Sequence, residues 1–210
     1  MKFKPPRRQS AILIAAAVLG LLALVLITCQ GARGLHRARG PEYAAETASW
    51  LKAVRALGGD GMWLVVRGYH PGDDAIAIAS NSPLSHAVVL DLSHSAVLEA
   101  IAKGVVLTPL EDFLRESHRL QIIKPNGWTP ERGAAALARA KSAIGKKYDL
   151  FGIVGAPSSE RYYCSELCLW SMEISVDRNG PNHVVHPRTM TRYGQLLFDS
   201  HERDRKPDFE

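Results

Sequence analysis

His86 directly precedes an apolar, β-prone run in the stretch SHAVVL, residues 85–90. The run predicts a strand over residues 86–92, because consecutive aliphatic and β-branched residues favour a buried strand. A histidine at the end of such a strand is well placed to reach the terminus of a neighbouring helix. As a general base it would take a proton from a nucleophile there. The alternative is that His86 has no catalytic role and is exposed or makes only structural hydrogen bonds, since the sequence has eight histidines.

A cysteine begins the stretch CSELCLW, residues 164–170, within a helix predicted over 164–174. Cys164 would lie in the first turn of that helix, where the helix dipole lowers the pKa of a thiol. The alternative is a buried cysteine that packs as a small hydrophobe. Cys168 lies one turn later and is expected to pack. The two cysteines lack a second pair of ligands in the sequence, so no metal site is predicted.

Glu99 interrupts an otherwise apolar strand predicted over the stretch AVLEAI, residues 96–101. A carboxylate in such a strand needs a hydrogen-bonding or charged partner, or a position on a solvent-exposed face of the sheet. From an adjacent strand it would hold the second ring nitrogen of a histidine, which is the orienting role in a catalytic triad. The alternative is a charge on an edge strand.

The rest of the pattern predicts an α+β fold with a mainly antiparallel sheet packed on helices. Further helices are predicted over residues 41–57, 109–116, 129–144 and 192–198. Thr108 is the expected N-cap of the second of these helices. Further strands are predicted over residues 62–66, 75–79, 105–108 and 120–123, and a loop over 152–159.

Four segments resemble, in their order along the chain, the permuted papain-fold amidohydrolases of the YaeF/YiiX type. They are GDGMWLV at 59–65, SHAVVL at 85–90, VLEA at 97–100 and YCSEL at 163–167, with KYD at 147–149 as a further match. These proteins are related to the NlpC cell-wall peptidases and to the lecithin:retinol acyltransferases. The resemblance implies a circularly permuted, NlpC-like papain fold in which the histidine precedes the cysteine. It implies Cys164 as nucleophile, His86 as base and Glu99 as the orienting residue.

The implied activity is hydrolysis of an amide, in a cell-wall peptide or an acylated amine, through an acyl-enzyme and without a cofactor. A hydroxyl donor for the reacting oxygen would come from Tyr148 or Tyr163. Two alternatives stay open, a lipid-directed thiol acyltransferase or esterase and a non-enzymatic, membrane-anchored binding domain. The implied catalytic domain covers residues 59–190, preceded by a linker and helix at 31–58 and followed by a polar tail at 191–210.

Residues 1–30 have the pattern of a membrane anchor or signal segment. Four basic residues precede residues 11–28, which carry no charge and as a helix would span roughly 27 Å, close to the bilayer core. The length favours an uncleaved anchor over a cleaved signal. Residues 26–29, LITC, also resemble a lipoprotein signal with Cys29 as the lipidated residue. The basic residues before the helix predict that the remaining chain lies outside the cytoplasm, on the periplasmic side.

Composition excludes several classes of protein. The 210 residues are 46% hydrophobic and 22% charged, which excludes a disordered chain, and three cysteines exclude a disulfide-built scaffold. The first thirty residues hold four of the 26 basic side chains and none of the 21 acidic ones, so the remainder is close to neutral. Without a basic helix or a basic and aromatic patch, the sequence does not predict nucleic-acid binding.

Overall fold

The fold is taken from a computed structural model of the chain. The structure describes residue 19 and residues 40–69, 71–149, 160–175 and 184–203. Apart from Leu19, the predicted anchor lies outside the described residues, as does the predicted loop at 152–159. Within these ranges, the helices are too short or too polar to cross a bilayer. Residues 37–210 form one compact unit.

Helices and strands alternate in short segments along this unit. In chain order the helices are α1 (Pro41–Leu57), α2 (Pro71–Ser80), α3 (Leu110–Arg115), α4 (Pro130–Ser142) and α5 (Cys164–Ser171), with 3₁₀ turns at Leu92–His94 and Pro187–Arg192. The strands are β1 (Trp63–Gly68), β2 (His86–Asp91), β3 (Ala96–Ile101), β4 (Gly104–Pro109), β5 (Ser117–Pro125), β6 (Lys147–Tyr148), β7 (Arg161–Tyr162) and β8 (Gly194–Asp199).

Six of these strands form an antiparallel sheet in the order β4-β3-β2-β1-β5-β8, and β6 pairs with β7 in parallel. Side chains alternate between the two faces, so each face buries its own cluster. One face carries Trp63, Val65, Ala87 and Val89 and packs against α4 and α5. The other carries Leu64, Val66, Val88 and Leu90 and packs against α1 and α3. The predicted α+β fold with an antiparallel sheet between helices is confirmed.

Several predicted elements are confirmed, and three are wrong. The helix over 41–57, the strand over 96–101 and the helix that begins at Pro130 are present. The predicted strand over 75–79 is part of α2, because a proline and two aspartates in the first turn favour a helix N-terminus over the alternating AIAIA pattern. Thr108 belongs to β4 and the N-cap of α3 is Pro109.

The predicted helix over 192–198 is also wrong, because residues 194–199 pair with β5 and form the edge strand β8. Its apolar residues at 196–198 fit either structure, and only the distant partner strand decides between them. The predicted domain boundaries stay predictions. The segment expected as a polar tail contributes this sixth strand to the sheet.

Arg203 fixes the end of the described chain to the first helix. Its side chain is buried, and the guanidinium carbon lies 3.9 Å from the ring centroids of both Tyr43 and Trp50. The guanidinium donates to three backbone carbonyls and two side chains, namely the carbonyls of Tyr43, Leu114 and Ser117 and the side chains of Glu46 and Thr47. This one side chain therefore joins α1, α3 and β5.

We expect Arg203→Ala to lower the free energy of unfolding by about 3 kcal/mol, because five buried or partly buried hydrogen bonds to the guanidinium are lost together. Urea denaturation followed by tryptophan fluorescence measures the change. Arg188→Ala is the matched control, since Arg188 is exposed and makes one long bond to the carbonyl of Asn81. A loss no larger than in this control would contradict the assignment.

Candidate active site

Cys164 is the first residue of α5, and its thiol is buried at 3% exposure. The preceding residue, Tyr163, is extended and donates its backbone N–H to Glu166 Oε2 at 3.4 Å. This bond closes the first turn, in which the amide hydrogens have no acceptor within the helix. The thiol thus lies at the positive end of the helix dipole, as the sequence predicts.

His86 is the first residue of β2 and pairs across the sheet with Val66 of β1. Its Nε2 lies 2.9 Å from Glu99 Oε2. The pairing of β2 with β3 places Glu99 opposite Val88, which puts it diagonally across from His86 on the same face. The imidazole also lies against Phe113 of α3, with 6.3 Å between the ring centroids. Strand register and the aromatic ring together fix the orientation of the histidine.

Thr108 of β4 extends this arrangement to a third strand. Its Oγ1 donates to Glu99 Oε1 at 2.5 Å, so the two carboxylate oxygens have different partners. The sequence pattern predicts a helix cap at Thr108 and does not indicate this contact with Glu99. The hairpin of β3 and β4 could have indicated it. Glu99 pairs with Val106, and Thr108 lies two residues further along β4, so its side chain is on the same face of the sheet.

The pKa of the Cys164 thiol is lowered, although burial alone raises it. The hydrogen bond and the charge of His86 lower it, as do the backbone N–H groups of Ala87 and Ser165. The pKa of His86 is raised well above its ordinary value, although burial alone lowers it, because of the hydrogen bonds and charges of Cys164 and Glu99. Since Nε2 is bonded to Glu99, Nδ1 is the ring nitrogen left for Cys164. The two shifts favour a thiolate–imidazolium pair.

Three neighbouring groups have different environments. The pKa of Tyr148 is raised by burial and by the charges of Cys164 and Asp73, so its phenol stays protonated at neutral pH. The hydroxyl of Tyr163 accepts the backbone N–H of Val185 at 3.3 Å. The pKa of Cys168 is raised well above its ordinary value by burial and by the charge of Cys164, which keeps this second thiol protonated.

Asp73, at the start of α2, is a further residue of this region that the sequence analysis did not single out. Its Oδ1 accepts the hydroxyl of Ser85 at 2.6 Å, and Ser85 Oγ accepts the backbone N–H of Gly68 at 3.0 Å. A Cβ at position 68 would overlap the Asp73 carboxylate, which would have to move from its position against Ser85. These bonds hold the residue before His86 in place.

A cavity of about 120 Å³ lies beside His86, on the side of Glu99. Its lining includes Thr108 and Phe113 together with the carboxylates of Asp73, Asp112 and Glu116. Cys164 is not part of this lining. In the described ranges no group of three or more histidine, cysteine, aspartate or glutamate side chains is arranged to hold a metal ion.

A cysteine at a helix N-terminus, preceded in the chain by a histidine on the sheet, defines the papain-like class in its permuted order. The chain belongs to the family of permuted papain-like amidase enzymes, YaeF/YiiX, C92, whose model matches residues 73–187. This confirms the family predicted from the sequence and the prediction that the protein is an enzyme.

The fold is also that of a solved relative. A crystal structure described as the metalloprotein yiiX from Escherichia coli O157:H7 is 21% identical, with a TM-score of 0.54, and the alignment covers 69% of this chain and 97% of that one. A search of curated proteins found no match. The permuted papain-like fold is therefore confirmed, and the predicted roles of the individual residues stay predictions.

We expect iodoacetamide to label Cys164 in preference to Cys168, because the thiolate reacts and the two pKa values are shifted in opposite directions. The rate for Cys164 should stay high below the ordinary thiol pKa. It should fall only when the thiolate is protonated at acid pH. Mass spectrometry of tryptic peptides, taken over a series of pH values, measures both rates.

His86→Ala should slow the labelling of Cys164 near pH 6 by about tenfold for each unit by which the thiol pKa rises. His94→Ala is the matched control, because His94 is an exposed histidine bonded to Asp91 away from the thiol. Equal, slow labelling of both cysteines that His86→Ala does not change would show that no activated pair exists.

Proposed function

We propose that this protein is a thiol amidase in which Cys164 is the nucleophile, His86 the general base and Glu99 the orienting residue. The observation that carries the proposal is the hydrogen bond of 2.9 Å between His86 Nε2 and Glu99 Oε2, which orients the imidazole. Membership of an amidase family supports an amide as the substrate. The lowered pKa of Cys164 and the raised pKa of His86 support a nucleophile that is ionised at neutral pH.

In the first step the thiolate of Cys164 attacks the carbonyl carbon of the amide. The imidazolium of His86 gives its proton to the leaving amine, and the acyl group stays on sulfur as a thioester. In the second step His86 takes a proton from water, and the resulting hydroxide attacks the thioester. The C–S bond then breaks, which releases the carboxylic acid and leaves the Cys164 thiolate beside the His86 imidazolium, as at the start.

The negative charge that develops on the carbonyl oxygen needs donors that are already in place. The backbone N–H of Cys164 is a suitable donor, because it lies at the first position of α5 and has no acceptor within the helix. Tyr148 is the better of the two tyrosine candidates. Its phenol stays protonated close to the thiol, whereas the hydroxyl of Tyr163 is engaged with Val185.

The substrate we propose is an amide in a cell-wall peptide or an acylated amine, reached from a membrane surface outside the cytoplasm. Residues 11–28 support the membrane location through their length and lack of charge. The basic residues before them support the orientation. The membrane location and the orientation are both argued from the sequence of residues 1–28 alone.

The amidase proposal is tested with the full chain purified in detergent micelles. Muropeptides, N-acylated amines and phospholipids are incubated with it in separate reactions, and products are identified by mass spectrometry. We expect cleavage of amide bonds, reduced about a thousandfold or more in Cys164→Ala. Cys168→Ala is the control and should retain activity, because that thiol stays protonated. Release of fatty acid alone would contradict the amidase proposal and favour a lipid-directed enzyme.

For the membrane segment we expect the protein to sediment with membranes and to keep its full mass, as an uncleaved anchor requires. Metabolic labelling with alkyne-palmitate tests the alternative, in which the signal is cleaved before Cys29 and that residue is lipidated. Cys29→Ser is compared with Cys168→Ser, which removes a thiol from the folded core. A label that is lost only in Cys29→Ser would overturn the uncleaved anchor.

A further inference from the structure

We propose that Thr108 is a positioning residue of this active site, whose hydroxyl holds the Glu99 carboxylate in the orientation that binds His86. The contact itself rests on the geometry of the strands β2, β3 and β4. Its importance for catalysis rests on the proposed function. The family match assigns no role to Thr108, and the sequence pattern predicts only a helix cap there.

The carboxylate of Glu99 is held at both of its oxygens. Oε2 faces His86 Nε2 at 2.9 Å and Oε1 accepts the hydroxyl of Thr108 at 2.5 Å. A carboxylate with one bonded oxygen can rotate about its last side-chain bond, which has a broad torsional preference. A second bond from the opposite side removes that rotation. Hydrogen bonds to a charged carboxylate are stronger than those between neutral groups, so this bond restrains the carboxylate.

Thr108 is well suited to this restraint because of its own backbone. It lies in β4 and pairs with Val97, while Glu99 pairs with Val106, so both polar side chains are on one face of the sheet. A β-branched side chain in a strand has few accessible χ1 rotamers, which fixes the direction of the hydroxyl. The three polar residues therefore lie on three successive strands, β2, β3 and β4.

The restraint matters because of the other charges near Glu99. The cavity beside it is also lined by Asp112 and Glu116, and by Asp73 from α2. A freely rotating Glu99 would sample orientations in this cavity in which Oε2 does not face His86. The imidazolium would then lose its partner for part of the time. The thiolate of Cys164, which depends on the imidazolium, would become less favourable.

The test compares Thr108→Val, which keeps the shape of the side chain and removes the hydroxyl, with Thr108→Ser, which retains it. Both are made in the full chain in micelles. We expect Thr108→Val to move the acid limb of Cys164 alkylation upward by about one pH unit, a tenfold change in thiolate fraction. We expect kcat for amide cleavage to fall in Thr108→Val, with KM unchanged. In Thr108→Ser both the alkylation profile and kcat should be close to those of the wild type.

A readout that needs no substrate is the titration of His86, followed by NMR of histidine labelled with ¹⁵N and assigned with His86→Gln. We expect the pKa of His86 to be lower in Thr108→Val than in the wild type and in Thr108→Ser. Other titratable groups near the pair keep their contacts in these variants, namely Asp73, Asp112 and Glu116 in the cavity lining and Tyr148 and Cys168 near Cys164. Their influence therefore cancels in the comparison.

Thr129→Val serves as a control for a purely structural effect. Thr129 is the N-cap of α4 and accepts the N–H of Arg132, so its loss costs about 1 kcal/mol of stability without a contact to the site. It should leave the alkylation profile and the His86 titration unchanged.

A wild-type His86 titration and alkylation profile in Thr108→Val would overturn the inference, whatever the activity of the protein. A second result would also overturn the inference. It is a Thr129→Val control in which the His86 titration and the alkylation profile are displaced as far as in Thr108→Val. Displaced curves in Thr108→Val alone, together with a wild type that cleaves no amide, would instead support the inference while the proposed substrate class fails.

Discussion

The hydrogen bond between His86 and Glu99 joins the sheet to the site. It depends on the register of β2 against β3, because a slip of one residue would turn the carboxylate to the opposite face. Cys164 approaches from α5, which packs on the face of the sheet that carries Ala87. The thiol and the carboxylate therefore meet the same imidazole from different layers of the fold. The position of His86 at the first residue of its strand makes this possible.

Burial has opposite effects on the two partners of the reactive pair when each is considered alone. It raises the pKa of Cys164 and lowers the pKa of His86, so each group alone would be neutral. Their mutual hydrogen bond and charges reverse both shifts, with Glu99 and two backbone amides adding to the effect. The ionised pair is thus a property of the assembled site. Removal of one partner leaves the other in an environment that favours its neutral form.

The sequence predicts the fold class, and it singles out His86, Glu99 and Cys164 as candidates, because those signals are local. The apolar run after His86, the lone carboxylate of Glu99 and the position of Cys164 before an apolar helix can each be seen within a few residues. Thr108 and Asp73 escaped because their roles depend on partners in other elements. Threonine is a residue type that is common at helix N-caps, which hides the role of Thr108. Asp73 lies just before residues 75–79, whose alternating pattern favours a strand. The edge strand β8 likewise depends on β5, some seventy residues earlier.

The permuted order of the chain has a consequence for how the protein is made. The strands that carry His86, Glu99 and Thr108 follow one another directly, and each pairs with the next through a short connection. In vectorial synthesis these strands leave the ribosome before Cys164 does, and local pairings of this kind form early. The proposed base and its support therefore precede the proposed nucleophile in synthesis. The groups proposed to activate the thiol are thus in the chain before the thiol itself is added.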